Sequence, residues 1–177
     1  FGGDKLEHGD TPECDEIVQE QLDGIGLLWY GGGSCTATLI GPRTILTAAH
    51  CFDYTSVNGA PSGHATFEID PYDMCGRNQI IELESFVSFA KSDADPHEVD
   101  IAVGLLRQPV NAGGSIRHFS IASGYPANGS LVWLNGRGLS GDAWQDLNWG
   151  HALRRAQVLY DYGDPLAEWR WRNVRQT

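Results

Sequence analysis

His50 closes the run TLIGPRTILTAAHCF, residues 38–52, and stands directly against Cys51. An imidazole ionises at about pH 6.5 when unperturbed, so it can accept a proton and return it within one reaction cycle. To serve as a base it must present one ring nitrogen in one tautomer. A carboxylate bonded to the other nitrogen enforces both conditions. Asp100 is the candidate carboxylate, because it heads the apolar run DIAVGLL, where desolvation is costly without a partner. Each residue alone also has an ordinary explanation. A histidine beside a cysteine is more often structural, and an aspartate before a strand is more often a turn residue.

Other residue types narrow the chemistry. The four cysteines contain no C-x-x-C pair, which argues against zinc; no metal and no cofactor is expected. A disulfide between Cys35 and Cys51 would clip the loop that ends at the histidine and stabilise it by roughly 3 kcal/mol. It would also imply an oxidising compartment, extracellular or periplasmic. Asn128-Gly129-Ser130 fits the N-glycosylation sequon and agrees with secretion from a eukaryotic source. Glu68-Ile69-Asp70-Pro71-Tyr72-Asp73 is acidic enough to raise the question of calcium, but its alternation with apolar residues reads as a solvated loop.

The elements that must position these groups read as short strands. GIGLLWYGGG and CTATLIG are two strands divided by a glycine-rich turn, and RTILTAAHCF is a third. In that third strand Ile45, Thr47 and Ala49 face one way, and Leu46, Ala48 and His50 the other. HATFEID, QIIELESFVSFA and VDIAVGLL supply more strands, and LVWLNGRG and ALRRAQVLYDY follow a change of texture after Gln108-Pro109. The stretch before Gly24 is polar, acidic and reads mostly as loop. Short strands separated by Gly- and Pro-rich turns, with no helix-period segment, predict an all-β barrel or sandwich.

The composition is that of a globular protein, with 41% hydrophobic and 20% charged residues. A net charge of −11 repels nucleic acid, and no apolar run approaches the roughly 20 residues of a membrane helix. Neither nucleic acid nor membrane is therefore an expected partner. Eight carboxylates crowd residues 4–23, whereas Arg137, Arg154, Arg155, Arg170, Arg172 and Arg175 supply half of the basic residues. These read as solvated faces.

Taken together and in order, LTAAHC preceded by CTATLIGPRTI closely resembles the histidine motif of the chymotrypsin/trypsin-like serine proteases. DIAVGLL is similar to the family's aspartate motif, usually D-I-A-L-L. LVWLNGRGLSGD followed by HALRRAQVLY resembles its glycine–tryptophan–glycine turn and the next strand, with Arg137 in the tryptophan's place. FGGD resembles the freed N-terminus of a processed zymogen. The resemblance implies two antiparallel six-stranded β-barrels, the second only partly encoded here. Residues 1–108 would form the first barrel, carrying His50 and Asp100, and 109–177 the start of the second. It further implies His50 as general base and then general acid, Asp100 as its orienting carboxylate, and a Cys35–Cys51 bridge. Cys14 and Cys75 have no clear counterpart; they pair with each other, the favoured reading, or with cysteines elsewhere.

The family's serine lies in G-D-S-G-G, and no such motif is present. Ser140 in GLSGD is a superficial substitute that falls too early in the chain. The expectation is a secreted serine endopeptidase whose nucleophile is carried by a second, C-terminal chain of the same enzyme. Its partners would be protein or peptide substrates and protease inhibitors. The alternatives are a catalytically inactive homologue acting as a binding or regulatory module, and an inert fragment.

Overall fold

Alternation of side chains lays down the strands. In the computed structural model, which describes residues 13–19, 22–52, 59–73, 75–89, 100–111, 116–137, 153–159 and 172–173, the first unit is Glu13–Ser120. It contains β1 (Ile25–Tyr30), β2 (Gly33–Gly41), β3 (Thr44–Thr47), β4 (Ala65–Ile69), β5 (Gln79–Ser88) and β6 (Ala102–Leu106). All neighbours are antiparallel, and they close into a barrel in the order β1-β2-β3-β6-β5-β4. Closure pairs every strand on both sides and removes the exposed edges of an open sheet. The expected antiparallel barrel is thus present. Gly31 and Gly32, both at positive φ (60° and 83°), make the two-residue turn that joins β1 to β2.

Strand β5 shows how the barrel adjusts its phase. Ile81 and Leu83 point inward while Glu82 and Glu84 point out, as strict alternation requires. A register shift between Leu83 and Ser85 then advances the pattern by one residue, so that Phe86 also faces the core. Two glycines accommodate close approaches. A Cβ on Gly26 would run into the Glu68 carbonyl oxygen, and one on Gly104 would lie 2.9 Å from Ile45 Cγ1. Ile45 therefore fills the interior opposite a residue that has no side chain. Leu28, Leu39, Ile45, Phe67, Phe86 and Leu106 are among the residues of this core.

Several details differ from the sequence reading. Residues before Gly24, expected as loop, include a short helix α1 (Cys14–Gln19) and a 3-10 turn (Leu22–Gly24). A disulfide from Cys14 to Cys75 ties this segment to the loop after β4, which realises the internal pairing. A covalent anchor of this kind lets a short polar helix persist where propensity alone would not hold it. Residues past Gln108 also keep touching the barrel: Val110 N donates to Pro42 O at 3.0 Å and Phe119 N to Leu39 O at 2.8 Å.

The acidic loop after β4 is organised by its own backbone. Asp70, buried and at positive φ, accepts hydrogen bonds from Cys75 N and Arg77 N. Asp73 accepts from Asn78 N, and Glu68 accepts from Trp29 Nε1 and Asn78 Nδ2. The loop is therefore not simply solvated, because its carboxylates take up N–H groups that a tight turn would otherwise leave unsatisfied.

Asp23 in the turn before β1 is 8% exposed. Its Oδ2 accepts from Arg77 Nη1 at 3.0 Å, while Oδ1 has no hydrogen-bond partner among the described residues. Burial raises its pKa above the ordinary 3.8, opposed less strongly by the Arg77 guanidinium and more weakly still by Arg117. Folding therefore takes up a proton at this site. The stabilising share is complete below the unfolded pKa and is lost as pH rises through the folded value. Asp23→Asn removes that titration. In urea unfolding, the stability of the variant relative to the native protein should improve as pH rises from the acid range toward neutrality. A difference that is constant, or that moves the other way, contradicts the assignment.

The second unit holds Ile121–Thr177. Among its described residues β7 (Leu131–Gly136), β8 (Arg154–Leu159) and β9 (Arg172–Asn173) form an antiparallel three-stranded sheet in that order.

Candidate active site

Strand register brings the two candidate residues together. β3 pairs with β6 so that Thr47 lies opposite Ala102. His50 comes three residues after Thr47 and Asp100 two residues before Ala102, at the same end of the strand pair. His50 Nδ1 lies 2.6 Å from Asp100 Oδ2, and the His50 backbone N donates to Asp100 Oδ1 at 2.8 Å. The carboxylate thus holds the residue at two points. One fixes where the backbone sits and the other fixes how the ring turns. With a neutral ring the proton belongs on Nδ1, facing the carboxylate, which leaves the lone pair on Nε2. The two side chains are 53% and 36% exposed on this chain.

The strand expected to run through His50 stops at Thr47. Ala49–Cys51 is a 3-10 turn, closed by Cys51 N donating to Ala48 O and Phe52 N to Ala49 O. His50 therefore does not share a strand face with Leu46 and Ala48. Three interactions compete successfully with continued sheet pairing. Cys35–Cys51 ties the turn to β2 with Cα atoms 6.0 Å apart, as the resemblance implied. Thr47 Oγ1 donates to Thr36 O at 2.9 Å, next to that bridge. The Asp100 carboxylate draws the His50 N–H out of the ladder.

Phe52 is a part of the site that the sequence reading missed. It is 1% exposed, stacks on Phe86 with ring centroids 4.0 Å apart and 6° between planes, and meets Tyr30 at 5.6 Å. The turn that carries His50 is therefore pinned to the barrel core through Phe52 as well as through the bridge. The signal was present as a large apolar residue immediately after the histidine and cysteine. Phe52→Ala should cost about 3–5 kcal/mol in chemical denaturation, through lost burial and the cavity left between Phe86 and Tyr30. A loss below about 1 kcal/mol would mean that the ring does not anchor the turn.

Cys35, His50 and Cys51 place potential ligand atoms within 4.8 Å of one another, but both thiols are consumed by the disulfide, so the cluster offers no thiolate to a metal. Asn128 lies on an exposed turn of the second unit. Arg137, where the motif has tryptophan, is buried at 5% exposure. Ser140 and most of the basic, aromatic tail lie outside the described residues.

A closed antiparallel barrel with an imidazole–carboxylate couple at the end of one strand pair defines the chymotrypsin-like class of protease folds. The trypsin family profile matches residues 21–155, and the chain belongs to that family. Among solved structures it is similar to neuropsin, a serine protease expressed in the limbic system of mouse brain. The TM-score is 0.65 at 20% sequence identity, over 87% of this chain and 64% of neuropsin. The chain thus spans less than two thirds of the length of that relative. No match is found among curated proteins.

Proposed function

We propose that this chain supplies the general base and its orienting carboxylate to a secreted serine endopeptidase. The observation that carries the reading is the two-point hold of Asp100 on His50, at 2.6 and 2.8 Å. In the proposed cycle a serine hydroxyl gives its proton to His50 Nε2 as its oxygen attacks the scissile carbonyl. Asp100 stabilises the imidazolium that results. The proton then passes from Nε2 to the leaving amine, and a water molecule repeats the sequence to release the acyl group.

The nucleophile, the oxyanion donors and the pocket for the substrate side chain belong, in this proposal, to a C-terminal chain of the same enzyme. Residues 121–177 begin a second barrel that the companion chain completes. The described sheet β7-β8-β9 supports that division: it exposes Leu131 and Trp133, apolar side chains that further strands of a barrel would cover. Two disulfides fit an extracellular setting, and processing of a zymogen would yield the two chains. Protein substrates and protease inhibitors would bind at the same site.

The test is fluorophosphonate labelling of the complete, freshly processed protein, followed by mass spectrometry of the adduct. Labelling of a serine on the companion chain is the expected result. A companion chain with another residue in the serine's place, and no adduct, would overturn catalysis and assign the fold a binding or regulatory role.

A further inference from the structure

We propose that Asn128 carries an N-linked oligosaccharide whose first N-acetylglucosamine packs on the ring of Tyr125. The inference rests on the extracellular reading and is independent of catalysis. Asn128-Gly129-Ser130 is the one N-x-S/T tripeptide in the sequence. It is placed on a tight turn: Ser130 N donates to Ala127 O at 3.0 Å, and Gly129 has φ of +81°. Glycine at positive φ in the second central position is the pattern of a type II turn, which puts Asn128 at the first central position. Asn128 is exposed there.

The donor would be an oligosaccharide linked through C1 to a lipid pyrophosphate. Asn128 Nδ2 loses a proton and forms a bond to C1, the C1–O bond breaks, and the lipid pyrophosphate leaves with the electron pair. Ser130 supplies the hydroxyl that acceptor sites require two residues on.

The surroundings add a second, independent observation. Tyr125, three residues before the asparagine, is 78% exposed. A sugar ring has one face of C–H groups that packs on an aromatic π face, while its hydroxyls stay in water. An oligosaccharide at Asn128 would therefore lay that face on the exposed ring of Tyr125.

Protein secreted by a eukaryotic cell is to be digested and mapped by mass spectrometry, with and without peptide:N-glycosidase. The expected result is a glycan on the Asn128 peptide, removed by the enzyme with aspartate left behind, and lost in both Asn128→Gln and Ser130→Ala. An unmodified Asn128 in folded, secreted protein overturns the proposal. Packing on Tyr125 is read separately, from melting temperatures before and after glycan removal. Removal should lower the midpoint in the native protein and lower it less in Tyr125→Ser. An equal drop in both overturns the contact with Tyr125. Fluorophosphonate labelling of the same samples reports on catalysis alone, and Asn128→Gln is expected to label as the native protein does.

Discussion

For the proposed endopeptidase, His50→Ala is expected to reduce acylation on the order of 10⁴- to 10⁶-fold while leaving the fold intact. The size follows from the chemistry removed. Without an acceptor at Nε2, the serine must lose its proton to water as it attacks, and the leaving amine must find its proton there too. The fold should survive because the side chain is half-exposed and the backbone N–H that bonds Asp100 Oδ1 is still present in alanine. Burst kinetics with an activated ester would measure the acylation step, and thermal unfolding would check the fold. A rate within tenfold of the native enzyme, at unchanged stability, would remove His50 from the mechanism.

Asp100→Asn separates position from charge. The asparagine oxygen can still accept the His50 backbone N–H, so the turn Ala49–Cys51 should stay in place. Its amide nitrogen, however, donates where the carboxylate accepts. Opposite Nδ1 it favours the tautomer with the proton on Nε2, and the base is then blocked on the side that must receive the serine's proton. In related triad proteases this change costs about 10⁴-fold in kcat, and a loss of that order is expected here. Asp100→Ala should cost a comparable amount in rate but also destabilise the turn, because both hydrogen bonds go. Equal stability in the two variants would show that the backbone contact at 2.8 Å does not hold the loop. A kcat for Asp100→Asn near the native value would show that the carboxylate does not set the tautomer.

Legibility in the sequence was uneven, for physical reasons. The motif around His50 could be read because it packs an uncommon set of types into six residues, LTAAHC, and the partner carboxylate because it heads an apolar run. The strands could be read because a half-buried strand alternates with a period of two. The 3-10 turn under His50 could not be, since TAAHCF continues the apolar texture of a strand. What ends the strand is a bridge to Cys35 and a bond to Asp100, neither of which is local. The helix after Glu13 was missed for a similar reason: its six residues are held by Cys75, far along the chain. The ion pair of buried Asp23 with partly buried Arg77 joins residues 54 positions apart, and no periodicity announces it.

The sequence by itself determined which groups were available for chemistry, the all-β character of the chain and its family, because residue type and short-range alternation are properties of neighbours. Only the tertiary structure decided that an imidazole and a carboxylate fifty residues apart meet at 2.6 Å. That distance follows from the register of β3 on β6. The register in turn is set by which side chains six strands can bury together, with bulges in β2 and β5 and with Gly104 leaving room for Ile45. Shifting such a pairing by one residue would exchange the buried and exposed faces, so the core that stabilises the barrel also aligns the base with its carboxylate.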